Sequence, residues 1–303
     1  MTVLAKKEHV WLKSEEKSSV WLDKEMYPFQ SRSWDSGEGL MHYVDEGQGE
    51  PVVMVHGTPM WSFLYRHQIR ELSKNYRCLA SDHLGFGLSD KPKDGAYHVA
   101  DHALRLEKWL ESLEVGPVHL VVHDFGGPIG LSYALKHPER IKSLTILNTW
   151  MWSVADNPDI QKIARMIQGW FGRFLYLYLN ASPRFLVKSV FADKSKLTKE
   201  IHAHYTKPFT NRTERIAHWT LGTLLAEPWF DSLWEQRERI RHLPTQFIWS
   251  MKDPTFTPVY LERWEGVFDN YEIHQLPEAG HFSQEEAPEE VNALLQRFLA
   301  SQG

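Results

Sequence analysis

The chain is nearly devoid of cysteine. Cys78 is the only one in 303 residues, which excludes a disulfide framework and a cysteine-based metal knuckle and fits the reducing cytosol, so a cytoplasmic protein is expected. No run of about 18 apolar residues is present, and no segment is expected to span a bilayer. The N-terminal MTVLAKKEHVWLKSEEKSS lacks the apolar stretch of a signal peptide. Charge does not gather either. The 34 Lys and Arg and the 39 Asp and Glu, net −5, are scattered throughout. No basic stripe points to nucleic acid, and no Lys/Arg cluster beside an apolar segment points to a membrane surface. Metal and nucleotide signatures are missing too. No HExxH occurs, and His202-Ala203-His204 has no acidic partner at ligand spacing. Gly85-Phe86-Gly87 is a fragment of a dinucleotide fingerprint, with Asp90 where the third glycine belongs. These absences leave an expectation of no cofactor, no metal, and a monomer or small homo-oligomer.

What is present is a large core and an alternating pattern. Hydrophobic residues make up 42% of the chain, enough for one extensive core. Short β-branched or apolar runs recur at Leu40–Val44, Val52–Val55, Arg77–Ala80, Val118–Val122, Leu144–Leu147, Thr245–Trp249 and Tyr271–Gln275. Helical patterns separate most of them, as at Trp61–Leu72, Ala100–Leu113, Pro128–Lys136 and Pro288–Leu299. Strands alternating with helices predict an α/β fold with a mostly parallel central sheet flanked by helices. The alternation stops between about Trp150 and Glu227. That stretch is aromatic-rich and helical, as in IARMIQGWFGRFLYLYL and ERIAHWTLGTLLAEP. It predicts a helical cap over residues 150–227, inserted into a core formed by residues 1–149 and 228–303.

In parallel sheets chemistry gathers at the carboxyl ends of strands. Three of the predicted strands end in suggestive residues. Val118–Val122 runs into His123-Asp124-Phe125-Gly126-Gly127, a strand, a tight turn and a helix start. The glycines permit the close approach that a nucleophile elbow requires, and Asp124 stands at its apex. Thr245–Trp249 is followed by Asp253 in SMKDP, and Tyr271–Gln275 by His281 in LPEAGHFSQEEAPEE. Nucleophile, acid and histidine follow in the chain order of an α/β-hydrolase triad. Upstream, His56-Gly57-Thr58-Pro59 sits between a strand and a helix, so the backbone amides of Thr58 and Phe125 can together hold an oxyanion.

On these residues the chain resembles the haloalkane dehalogenase family of the α/β-hydrolase superfamily, in a branch that also resembles β-lactone decarboxylases. The similarity runs from roughly Leu40 to Leu299 through HGTPMWSFLYR, DHLGFGLSDKP, VVHDFGGPIG, YTKPF, MKDP and AGHFSQEEAPEE. It implies Asp124 as nucleophile, His281 as base and Asp253 as the acid behind the base. Some relatives carry that acid after the preceding strand, where this chain has Asn148. A carboxylate can displace a leaving group from saturated carbon to form an ester on itself, which a water activated by His281 then hydrolyses.

The chain departs from the family at the leaving-group site. Dehalogenases usually place Trp directly after the nucleophile and take a second donor from Asn at the Thr58 position or from a cap Trp. Here Phe125 and Thr58 stand instead. A hydrogen bond to an anion is worth about 1.5–3 kcal/mol. Trp170, in the expected cap, is the candidate replacement, with Phe125 and Thr58 lining the same pocket for a small apolar substrate. Haloalkane hydrolysis is the leading expectation. A β-lactone decarboxylase, whose carboxylate leaving group needs no paired indoles, is the first alternative. An epoxide hydrolase would need a cap tyrosine, with Tyr176, Tyr178 and Tyr205 as candidates. A non-enzymatic ligand receptor would have no use for Asp124, His281 and Asp253 together.

Overall fold

The computed structural model describes residues 21–303, so the N-terminal stretch read for leader character lies outside the described residues. The strands are β1 (Arg32–Asp35), β2 (Leu40–Glu46), β3 (Pro51–Val55), β4 (Arg77–Ser81), β5 (Val118–His123), β6 (Ile141–Leu147), β7 (Thr245–Ser250) and β8 (Tyr271–Leu276). They form one sheet in the order β1-β2-β4-β3-β5-β6-β7-β8. Only the β1–β2 and β2–β4 pairings are antiparallel.

The central strands are buried on both faces, as every residue of β5 and β7 is. This is why they read as nearly continuous apolar runs rather than as alternation. Alternate residues still divide between two cores. Val53, Val55, Leu120, Val122, Ile146 and Phe247 face one side. Val52, Met54, Val121, Leu147 and Ile248 face the other. The first core is closed by helices α2 (Val99–Ser112) and α3 (Gly126–Lys136), through Leu106, Trp109, Ile129 and Leu131. The second is closed by α1 (Arg66–Leu72) and by the C-terminal helix Pro288–Ala300, through Ile69, Leu72, Val291 and Leu295.

Two elements differ from the sequence expectation. The edge strand β1, RSWD, carries no apolar alternation and pairs only with β2, whose partly buried flank supplies its order. The helix expected from Trp61 begins as a 3₁₀ turn, Ser62–Tyr65, and becomes α-helical at Arg66. The amide of Ser62 donates to Asp82 Oδ1 across 2.9 Å, which ties the start of that turn to the end of β4.

Between β6 and β7 the described residues contain helices and turns but no strand: α4 (Pro158–Gln168), α5 (Trp170–Leu179), a π-helical turn Ser182–Leu186 continuing into a short helix Val187–Val190, α6 (Lys199–Thr206), α7 (Ile216–Thr223), and then a helix Trp229–Glu235 and a 3₁₀ turn Arg237–Ile240. This segment is anchored to the sheet-bearing part by buried polar contacts. The Trp61 indole donates to the His204 carbonyl at 2.9 Å, and the rings of Phe63 and His204 stack 4.3 Å apart. The Tyr205 hydroxyl donates to Glu285, which also receives Arg66, its Nη2 lying 2.7 Å from Oε2.

Candidate active site

Asp124, Asp253 and His281 follow β5, β7 and β8, parallel strands of one half of the sheet, with β6 between the first two. Asp124 has φ +52°, the left-handed conformation that puts a side chain at the apex of a sharp turn. For a residue other than glycine it costs roughly 1–3 kcal/mol, and it persists where the surroundings impose it. Here they do. A Cβ on Gly126 would strike the Val55 carbonyl, and one on Gly127 would strike the Thr149 hydroxyl. That hydroxyl donates instead to the Asp124 carbonyl, and the Gly127 amide donates to the same oxygen at 2.9 Å.

The Asp124 carboxylate is buried and faces donors. The Thr58 amide donates to Oδ1 at 2.8 Å, and the Phe125 amide also bonds the carboxylate. His281 Nε2 lies 3.7 Å from Oδ2. On its other side His281 Nδ1–H donates to Asp253 Oδ2 at 2.8 Å, leaving Nε2 with its lone pair toward Asp124. Asp253 is held in turn by the Thr255 amide at 2.7 Å. The three groups titrate in opposite senses. Burial raises the Asp124 pKa, and the charge of His281 with the Phe125 and Thr58 amides only partly reverses this. Burial also works against the Asp253 carboxylate, but His281 and the backbone amides outweigh it and hold its pKa low. For His281, burial disfavours the cation, while Asp253 and then Asp124 more than compensate, so its pKa is raised.

Several supporting residues escaped the sequence reading. The side chain of Asn148 fills the place where some relatives carry the acid. Its Oδ1 accepts from the Ser250 amide at 2.8 Å, and its Nδ2 donates to the carbonyls of Ser250 and Phe256, which pins the loop carrying Asp253. His123 Nε2–H donates to the His281 carbonyl at 2.9 Å. Burial first, and then the nearby His281, pushes the His123 pKa down to about 3, so it holds this contact as a neutral ring. The loop of Thr58 is fixed by a histidine pair. The His83 amide donates to His56 Nε2 at 3.0 Å, His83 Nε2–H returns a bond to the His56 carbonyl, and His56 Nδ1–H caps the Gly57 carbonyl. Histidines in HG and DH dipeptides carried this signal, but only the fold makes them neighbours.

The leaving-group region differs from the expectation. Phe125 is buried and meets Trp150 edge-on at 4.9 Å. Trp150 stacks on Phe256 at 5.2 Å, and Phe256 stacks on His281 at 5.6 Å. The Trp150 indole N–H is buried without a hydrogen-bond partner among the described residues. Such a group costs about 1–3 kcal/mol and calls for an explanation. Trp170 does not join this cluster. It is 83% exposed, because Gly172, Tyr176 and Leu177 occupy the buried face of α5. Of the three candidate tyrosines of the helical segment, Tyr205 is tied to Glu285 and Tyr178 is exposed beside Arg212. Tyr176 alone is buried with no such tie, facing His218 edge-on at 5.8 Å, and burial pushes its pKa up to about 12. Among the described residues one group, Glu107, Glu111 and His137, could offer a cation three ligands. Lys136 and His137 already bond Glu107 at 2.7 Å each, and the group lies on the helical flank rather than at the strand ends.

Comparison with known proteins gives a consistent outcome. A family model described as the alpha/beta hydrolase fold matches residues 50–288. The chain is 34% identical to haloalkane dehalogenase 2 of Mycobacterium tuberculosis over 281 residues, covering 91% of this chain and 97% of that one. It is 33% identical to the cis-3-alkyl-4-alkyloxetan-2-one decarboxylase of Shewanella oneidensis over 290 residues, covering 90% and 89%. Its backbone superposes on the crystal structure of a haloalkane dehalogenase from Agrobacterium tumefaciens C58 with a TM-score of 0.82 and 25% identity, covering 90% of this chain and 97% of that one.

Proposed function

For a chain that belongs to the haloalkane dehalogenase family of α/β hydrolases, we propose a two-step hydrolysis of a small apolar haloalkane through an ester on Asp124. The observation that carries it is the disposition of the carboxylate. Oδ1 rests on the Thr58 amide at 2.8 Å, Oδ2 faces His281, and His281 is backed by Asp253. In the first step Oδ2 attacks the carbon bearing the halogen. The carbon–halogen bond breaks, and the halide leaves with the electron pair. In the second, His281 Nε2 takes a proton from a water whose oxygen attacks the ester carbonyl carbon. The Thr58 and Phe125 amides hold the resulting oxyanion. Collapse breaks the bond to the alkyl oxygen, the His281 proton passes to the departing alcohol, and the Asp124 carboxylate is restored. Asp253 keeps Nδ1 protonated and stabilises the transient imidazolium. Residues 150–227 act as the cap that closes this site, on a core of residues 1–149 and 228–303.

A second reading has its own support. The Phe125 side chain offers no N–H, and one relative of nearly equal identity is named for an oxetanone decarboxylase. A strained lactone opened by Asp124 would release a carboxylate within the same molecule, which needs less help from donors. Intact-mass measurement of a His281→Gln variant separates the two. With a 1-bromoalkane the protein should gain the alkyl group in place of a proton. With a β-lactone it should gain the whole lactone mass. A gain with the bromoalkane supports dehalogenation, and a gain with the lactone alone supports the second reading. No adduct with either would remove Asp124 as nucleophile.

A further inference from the structure

The outer faces of α4 and α5 expose many large apolar side chains, and beyond Asp159 at the start of α4 the charged residues of both helices are all cations. Among the described residues twelve large apolar side chains are exposed, and nine of them fall between Ile163 and Leu186. Within α5 the exposed rings Trp170, Phe174 and Tyr178 recur every four residues and form one stripe, with Phe174 and Tyr178 stacked 5.4 Å apart. A monomeric protein rarely leaves so many large apolar groups together in water unless they meet something.

The charge says what they meet. From Ile160 to Ala192 there is no Asp or Glu, while Lys162, Arg165, Arg173, Arg184 and Lys188 are all exposed. This holds in a chain whose net charge is −5. Three cations, Lys93, Arg173 and Arg212, line the groove beside the α5 stripe, and no carboxylate does. The guanidinium of Arg173 lies over the Trp219 ring at 5.1 Å, and that of Arg212 over the Tyr178 ring at 6.0 Å. Cations held at the rim of an aromatic surface are the composition of helices that lie in the headgroup layer of a membrane. A two-fold contact between two copies of this face would set cation against cation, so a second copy is disfavoured.

We propose that this face docks on an anionic lipid surface, with the α5 rings entering the headgroup layer and the surrounding Lys and Arg binding lipid phosphates. The sequence expectation of no membrane surface rested on charges scattered along the chain. In the fold Lys93, Arg173 and Arg212 converge, because α5 and the Arg212 region share a groove that no carboxylate lines. No helix among the described residues is long and apolar enough to cross a membrane, and docking requires none. The proposal does not depend on the leaving group or on the reaction assigned above.

The test is co-sedimentation of the full chain with phosphatidylcholine vesicles, with and without phosphatidylglycerol, at low and high salt. Binding is expected to the anionic vesicles, to weaken with salt, and to be slight on phosphatidylcholine alone. Arg173→Glu should lower partitioning at least about five-fold, the worth of one surface cation. Phe171→Ser and Phe174→Ser should each lower it about ten-fold. All three should keep the wild-type circular dichroism and thermal midpoint, since these side chains are exposed. Failure of the native chain to bind anionic vesicles would overturn the proposal. So would binding indifferent to phosphatidylglycerol and salt. A native dimer that Phe174→Ser converts to monomer without lipid would assign the face to a second copy instead.

Discussion

His281 donates from Nδ1 to Asp253 across 2.8 Å while its Nε2 stands 3.7 Å from Asp124, so one imidazole bridges two carboxylates of unequal task. The shorter contact fixes the tautomer.

This division predicts the effect of Asp253→Asn. Ester formation needs only the Asp124 carboxylate, whereas ester hydrolysis needs the base. The variant should slow hydrolysis by roughly 10²- to 10⁴-fold, the usual worth of a general base, and leave ester formation much less affected. Rapid-quench mass measurement should show the alkylated protein accumulating. Equal slowing of both steps would make Asp253 a merely structural group.

The pH dependence follows from the same bridge. The His281 pKa is raised in the resting protein, by Asp253 first and Asp124 second. Below it the imidazole is protonated and cannot act as base, so hydrolysis is lost as pH falls. Esterification removes the Asp124 charge and with it one of the raising influences. The acid limb of single-turnover ester hydrolysis should therefore lie at lower pH than the NMR titration of His281 in free protein. Coincident values would mean that Asp124 does not act on His281.

The Trp150 indole N–H, buried beside Phe125 and without a partner among the described residues, is a candidate to replace the missing donor. Trp150→Phe keeps the aromatic stack with Phe256 and deletes the N–H. Bromide affinity and ester formation from bromoalkanes should fall by about 1.5–3 kcal/mol, or roughly 10- to 150-fold. Ester hydrolysis should be spared. Phe125→Trp would add a donor but must displace Trp150 from a 4.9 Å contact, and overpacking costs about 1–3 kcal/mol. Its net gain should be smaller than the donor's worth. Unchanged bromide binding in Trp150→Phe would assign the leaving group to other donors.

Glu285 tests the join between the helical segment and the core. It is fully buried and receives both Arg66 and Tyr205. Glu285→Ala leaves the Arg66 guanidinium buried without its partner, a loss of about 3–5 kcal/mol. Tyr205→Phe keeps that ion pair and should cost only about 1–3 kcal/mol. Urea unfolding of the two variants should show this order, and a reversed order would mean that the Tyr205 contact across the join outweighs the buried ion pair within the core.

Local sequence determined where the chain can carry chemistry. Asp124 and Asp253 were legible because each follows a strand buried on both faces, which declares itself by composition alone, whereas His281 follows the less buried edge strand β8 and was legible from its order after the other two. The strand-to-helix glycines were legible because only a residue without Cβ fits against Val55 and Thr149. The direction of Trp170 was not legible. A helix in isolation has no inside, and the burial of Gly172 and Tyr176 on the opposite face turned the indole outward. Trp150 was passed over for the converse reason. An indole looks the same in sequence whether its N–H is bonded or not, and only the fold left this one unpaired beside Phe125. The edge strand β1, the His56–His83 pair and the Asn148 bridge belong to the same class. Each gains its role from partners on another strand or loop, so tertiary structure alone decided them.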